Sequence, residues 1–196
     1  RNYPIKFSRI EAPLKTHYGF MGLSKNIGGY LLADGVNEKG LSIAALYFEG
    51  YAQYQEENED AINIGAHEAV QYVLATCTNA EEAIHFFITH NIVAVKLDYL
   101  GVVPPLHWTI LDPTGAAYIV ELTKSGVEVH ENKIGVLTNS PTYEWHLTNL
   151  RNYIGMDPHQ VEPRVLYGQE FKPFGQGSGT FGLPGDYTPP SRFVRT

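Results

Sequence analysis

The chain has 196 residues, 43% of them apolar, with 13 tyrosines and 9 phenylalanines; this suffices for one domain with a sizeable core and excludes a disordered chain. A net charge of -7 argues against nucleic acid or an anionic membrane as partner, because phosphate binding needs a basic face. No apolar run approaches the roughly 18 residues of a membrane helix, and a single cysteine, Cys77, excludes an internal disulfide.

Residues 1–17, with Pro4, Pro13 and scattered charge, read as an extended lead-in without an initiator methionine or signal peptide. Strands are predicted at Tyr18 to Leu23 and at Tyr30 to Leu32, then a turn cluster from Asp34 to Gly40 between two apolar segments. Leu41 to Phe48 predicts a strand buried on both faces, ending where Tyr47 and Phe48 meet Gly50. The acidic run Gln55 to Asp60 reads as a solvated loop. Ile64 to Thr76 and Ala80 to His90 have helical spacing, with Thr78 and Glu81 as a capping box between them. Cys77 beside that cap reads as a small buried residue, since no basic neighbour would activate it.

The clearest strand signals lie in the next stretch. Leu106 to Leu111, Ala116 to Thr123 and Gly126 to Asn132 alternate in polarity and are joined by Pro-Thr-Gly and Lys-Ser-Gly turns. Gly135 to Ser140 is predicted to add a final short strand that stops at Pro141. Thr142 to Ile154 predicts an amphipathic helix presenting Trp145, Leu147, Leu150 and Ile154. Residues 155–190 are Gly/Pro-rich with little periodicity, and structureless stretches of that length usually serve function or assembly. Ser191 to Thr196 reads as a helix start, so both ends read as internal to a longer protein.

Several motifs invite chemistry. Gly177 to Gly182 spells G-x-G-x-x-G, but no strand precedes it and Leu183-Pro184-Gly185 stands where a helix should begin, so it reads as a glycine loop. His67-Glu68 begins H-E-x-x-H, yet Gln71 replaces the second histidine, leaving His67 a helix-surface residue and no zinc pair. His107, Glu121 and His130 lie on adjacent predicted strands in an arrangement open to a 2-His-1-carboxylate metal site, though their spacing does not demand one; no metal or cofactor is expected. Asn139, at the end of a strand platform, has an amide able to donate to an oxyanion; the plain alternative is a cap for the next helix.

Five collinear blocks together resemble one family: Ala33 to Leu41, Ala45 to Phe48, Gly101 to Trp108, Val136 to Pro141, and Phe181 to Asp186 with Ser191 to Arg195. Each is weak alone, but in this order they resemble the choloylglycine hydrolases, which include penicillin V acylases and conjugated bile salt hydrolases. The resemblance implies an α+β fold, the four-layer αββα sandwich of antiparallel sheets of N-terminal nucleophile hydrolases, here incomplete at both ends. Residues 1–196 would form a single domain fragment lacking the nucleophile strand and the C-terminal portion. It also implies that an amino-terminal cysteine attacks an amide carbonyl with its own α-amine as base, an amine whose ordinary pKa near 8 is usable at neutral pH.

By position, the resemblance makes Asn139 the oxyanion-hole asparagine, the backbone amide of Tyr47 the second donor, and Arg192 the catalytic-site arginine. The nucleophile and the arginine and aspartate that come after it would lie upstream of Arg1, and Cys77 cannot replace them because its nitrogen is in a peptide bond. Glu49 stands where the family pattern has proline. Tyr47 is also the expected substrate handle: tyrosine there tends toward penicillin V acylases and asparagine toward bile salt hydrolases, so penicillin V is the first expectation and conjugated bile salts the alternative. A different class of reading is a non-catalytic binding or assembly fragment. Residues 155–190, with Phe171, Phe174 and Phe181, are expected to reach a neighbouring subunit of a homotetramer, and the location is expected to be cytoplasmic.

Overall fold

The computed structural model describes residues 4–15, 17–26 and 30–196, with only the backbone of Tyr30. The chain divides into two compact units, Arg1–Thr142 and Tyr143–Thr196.

In the first unit, β1 (Ile5–Phe7) and β2 (Ile10–Leu14) form a hairpin where an extended lead-in was expected; Arg1, Asn2 and Tyr3 lie outside the described residues. The hairpin forms because Ile5 and Phe7 alternate with a polar residue and bury against Ala75 and Tyr72. Next come β3 (Phe20–Met21), β4 (Ser24–Asn26), β5 (Tyr30–Leu32), β6 (Asp34–Asn37) and β7 (Ser42–Tyr47). Beyond them lie β8 (Asn63–Gly65), α1 (Ala69–Thr76), α2 (Ala80–Thr89), β9 (Asn91–Val93), β10 (Leu106–Leu111), β11 (Ala117–Thr123) and β12 (Gly126–Glu131).

The largest element is a six-stranded antiparallel sheet in the order β12-β11-β10-β7-β6-β3. One face carries Ile43, Trp108, Ile110, Val120 and Leu122, which pack with Val70, Val73, Leu74 and Phe87 of the two helices into one core. Alternation sends His107, Thr109, Ile119 and Glu121 to the opposite face. The meander β10 to β12 matches its alternating pattern nearly residue for residue.

Several expectations are corrected. Asp34–Asn37 is strand, not turn: it pairs with β7 from Asp34 opposite Ala44 to Val36 opposite Ser42, and the reversal is confined to Glu38–Gly40. Gly35 suits that strand because a Cβ there would lie 2.5 Å from the Met21 carbonyl oxygen and 2.7 Å from Leu74 Cδ1. β7 is only half-buried along most of its length. Asn63–Gly65 pairs in parallel with β9, so the helix expected from Ile64 starts only after a 3-10 turn at Ala66–Glu68. The second helix is capped by Asn79, whose Oδ1 accepts from the Glu82 N–H at 2.9 Å; Thr78 instead donates its N–H to the Glu82 carboxylate. Residues 135–140 are not a strand, for they join no ladder.

In the second unit, α3 (Tyr143–Leu150) continues into a 3-10 turn at Arg151–Tyr153, and β13 (Arg164–Leu166), β14 (Gln169–Phe171) and α4 (Pro189–Arg195) complete it. The buried face of α3 is Tyr143 and His146, packed on Phe193 of α4, and not the expected stripe: Trp145, Leu147 and Ile154 are exposed. β13 and β14 make an exposed hairpin inside the segment expected to lack structure. The Gly177 to Gly182 loop turns once as a 3-10 helix at Ser178–Thr180. Gly179 is required there, since a Cβ would fall 2.0 Å from the His159 carbonyl oxygen.

Candidate active site

β7 and β10 run antiparallel with Tyr47 opposite Leu106. Just beyond the strand end the Phe48 N–H donates to the Pro105 carbonyl at 2.8 Å. Since ladder groups alternate between the two edges of a strand, the N–H and C=O of Tyr47 both project from the edge of β7 away from β10. That edge lies beyond the end of β6, whose pairing with β7 runs from Val36 to Asp34.

Here the 135–141 segment crosses. The Asn139 side-chain amide donates to the Tyr47 carbonyl at 3.0 Å, and the Ser140 hydroxyl donates to the Glu49 carbonyl at 2.8 Å. The Asn139 amide nitrogen is thus directed at the end of β7, 92 residues away in sequence. The Asn139 amide nitrogen and the Tyr47 N–H are thereby gathered on one side of one strand end, the disposition of a donor pair for a developing oxyanion.

Tyr47 is 44% exposed, and its side chain lines a cavity of about 330 Å³ with Leu32, Ala45, Leu106, His67 and Lys25. Tyr54 anchors the backbone of two lining residues: its hydroxyl donates to the Pro104 carbonyl and accepts from the Leu106 N–H, both at 2.7 Å, and burial raises its pKa. His67, expected on a helix surface, is instead mostly buried at this cavity, with burial lowering its pKa against the raising effect of Glu68. Lys25 stacks its ammonium 4.0 Å over the Tyr99 ring. A larger groove of about 660 Å³, lined by Met21, Val36, Thr109 and Leu111 among others, contains neither Asn139 nor Tyr47.

Arg192 belongs to the second unit, on α4, where its Nε donates to the Tyr187 carbonyl at 3.1 Å. Asp186 starts that helix by accepting from the Thr188 and Ser191 hydroxyls and the Thr188 N–H. These bonds, led by the Thr188 hydroxyl, bring its carboxyl down to about 2.

The candidate metal set comes together in part. His107 Nδ1 is 3.0 Å from Glu121 Oε1, and His130 Nε2 is 3.8 Å from Glu121 Oε2. His107 cannot ligate, however, because its other nitrogen, Nε2, is engaged by the Thr138 carbonyl at 2.9 Å. The ligand atoms that do lie within 4.8 Å of one another belong to Glu121, Glu128 and His130. His107 and Glu121 are fully buried, although residues of this kind read as half-exposed in the sequence. One signal was available: both lie seven positions from Thr114, the centre of the Pro-Thr-Gly turn, so a symmetric hairpin sets them opposite each other.

Cys77 is buried, and burial pushes its thiol up to about 11, which leaves it protonated at neutral pH and no nucleophile.

Comparison with known proteins gives a single answer for the class. The architecture is that of N-terminal nucleophile hydrolases. The chain belongs to the linear amide C–N hydrolases of the choloylglycine hydrolase family, whose match runs over residues 1–196. It is 40% identical over 197 residues to the bile salt hydrolase/transferase of Clostridium perfringens, a match over 100% of this chain and 60% of that protein. The crystal structure of a variant of the conjugated bile acid hydrolase from the same organism superposes with a TM-score of 0.89 over 100% of this chain and 60% of that one. Penicillin V acylase from Agrobacterium tumefaciens shares the fold at a TM-score of 0.68 and 24% identity, over 98% of this chain and 53% of that one. The chain therefore spans about 60% of the length of the bile salt hydrolase it matches. Among the described residues no helix is long and apolar enough to cross a membrane.

Proposed function

We propose that this protein hydrolyses the amide bond of conjugated bile salts through an amino-terminal cysteine supplied from outside residues 1–196. The observation that carries the reading is the Asn139 amide held 3.0 Å from the carbonyl of Tyr47, a residue that itself lines a mostly apolar cavity, in a chain of this family. The thiolate attacks the amide carbon, and the carbonyl electrons move onto oxygen. The Asn139 amide and the Tyr47 N–H stabilise that oxyanion. The C–N bond breaks with the proton passing from the terminal ammonium to the departing amine, and water then releases the acyl group from sulfur as the free acid. Arg192 steers the nucleophile, by the same family correspondence.

Bile salts take precedence over penicillin V because the similarity to a bile salt hydrolase is 40% over the whole chain, against 31% over 120 residues to a penicillin V acylase. Tyr47 favours the second reading, penicillin V, since its half-exposed ring offers a flat aryl group a stacking surface. By the same correspondence, the exposed Phe171, Phe174 and Phe181 serve assembly of a homotetramer.

In the full-length protein Asn139→Ala should lower kcat on glycocholate about 100-fold or more with little change in KM. Near-normal turnover would remove Asn139 from the oxyanion hole. An intact mass showing a mature chain that begins at Arg1, with no cysteine ahead of it, would favour a non-catalytic fragment.

A further inference from the structure

The oxyanion candidate sits on a segment with no ladder of its own, so something else must hold it. Thr138, its neighbour, is buried, and its carbonyl lies 2.9 Å from His107 Nε2. A carbonyl only accepts, so Nε2 carries a proton. On the opposite side of the ring, Nδ1 and Glu121 Oε1 share a second proton across 3.0 Å. The Thr138 carbonyl thus fixes Nε2 as the donor, and Glu121 holds the ring from its other nitrogen.

The ring is also clamped edge and face. It stacks on Phe48 with centroids 4.3 Å apart and planes 8° from parallel. Phe48 is the residue next to Tyr47 and is itself fixed by its N–H to the Pro105 carbonyl. His107 thus touches both halves of the donor pair: Thr138 on the Asn139 side and Phe48 on the Tyr47 side. His107 is held by its pairing with Leu46 of β7 near the start of β10, and Glu121 by its pairing with Glu128 of β12.

We propose that His107, oriented by Glu121, is a positioning residue that sets the distance and direction of the Asn139 amide relative to the Tyr47 backbone. The inference rests on the oxyanion reading of Asn139. A misplacement of about 1 Å in such a site costs on the order of 100-fold in rate, so a buried brace one residue from the donor has a kinetic signature distinct from its part in packing.

The test is a double-mutant cycle in the full-length enzyme with glycocholate. His107→Phe keeps the ring stack and removes both nitrogens; His107→Gln keeps an N–H that reaches Thr138. His107→Phe should lower kcat by about 10- to 100-fold with KM changed less than about threefold. His107→Gln should recover most of that loss at an equal melting temperature. In the Asn139→Ala background His107→Phe should cost less than about threefold more, because the group it positions is gone. If Asn139→Ala is severely impaired and His107→Phe retains its full effect beside it, this inference alone is overturned. If Asn139→Ala turns over normally, the oxyanion reading falls and this one with it. Should His107→Phe not fold, His107→Asn carries the test, since its shorter amide can meet Glu121 but not Thr138: a kcat loss of about threefold or more at unchanged KM and melting temperature, absent in the Asn139→Ala background, supports the brace, and a smaller loss or one that persists in that background overturns it.

Discussion

Asn37 offers the sharpest test of how the platform is held, and it can be read without any catalytic assay. It is 5% exposed, and its side chain makes every bond an amide of its kind can be asked to make on both ends. Nδ2 donates to the Leu74 carbonyl at 3.0 Å and to the Cys77 carbonyl at 2.8 Å. These are carbonyls at the C-terminal end of α1, which no further helical turn would satisfy. Oδ1 accepts from the Lys39 and Leu41 N–H groups at 3.0 and 3.1 Å, closing the turn between β6 and β7. Asn37→Ala removes these bonds together and leaves buried backbone groups unpaired. At about 1 kcal/mol for each net bond, the loss should be about 3–4 kcal/mol, a large share of the roughly 5–15 kcal/mol a domain holds. Asn37→Asp keeps the acceptor for the turn but sets a carboxylate oxygen against two carbonyls. It should be worse than alanine at pH 7 and should recover as acid protonates it, since a carboxyl whose folded pKa is raised contributes stability only at the low-pH side. Urea unfolding followed by far-UV circular dichroism at pH 7 and pH 4 measures both. An alanine variant within about 1 kcal/mol of wild type, or an aspartate variant as stable as wild type at pH 7, would refute the reasoning.

Tyr47→Asn should raise the ratio of glycocholate to phenoxymethylpenicillin turnover by about tenfold; an unchanged ratio in parallel assays would mean that the ring does not select substrate. Cys77, with its thiol moved from 9.0 up to about 11, favours the neutral form in the fold, so its contribution is complete below pH 9 and is lost as pH rises toward 11. Unfolding midpoints between pH 8 and 11 should fall more steeply in the wild type than in Cys77→Ala, and parallel slopes would contradict the burial account. Asp186, lowered to about 2, gives support to α4 that is present above the ordinary carboxylate range and disappears only as pH falls through about 2. Amide NMR shifts of Ser191 and Arg192 should therefore stay constant down to pH 3 and move below it, and movement centred near pH 4 would show that the Thr188 and Ser191 bonds do not form in solution.

What the sequence made legible was local. The meander could be read because alternation at Leu106–Leu111 and Ala117–Thr123 and the glycine turns between strands are short-range signals. The family resemblance singles out Asn139 and Tyr47, and the two lie 3.0 Å apart, amide nitrogen to carbonyl oxygen. The hidden features depended on distant partners. Asp34–Asn37 has turn-like letters, yet its glycine admits the Met21 carbonyl and its asparagine caps a helix 37 residues on. Ile64 keeps helical spacing with the residues up to Thr76, but a parallel partner at Ile92 claims it for a strand. Thr78 and Asn79 are both competent caps, and only the path of the chain into α2 selects the second. His107 and Glu121 look like polar residues of a half-exposed strand. They are buried because the 136–141 segment lies over that face, which no window along β10 or β11 can report.

The same segment explains why an irregular stretch can carry a donor that needs fine placement. A ladder would fix residues 136–139 through backbone groups alone, whatever their side chains. Here the contacts are made by the Thr138 carbonyl to an imidazole, the Asn139 amide to a strand-end carbonyl, and the Ser140 hydroxyl to the Glu49 carbonyl. Each partner lies on, or immediately beyond, a strand whose register is set by a run of paired residues, β10 between β7 and β11. Precision is thus borrowed from the sheet through side chains. If Asn139 is the oxyanion donor, its placement therefore draws on His107 beneath Thr138 and on the side chains of residues 139 and 140 themselves, and not on a ladder.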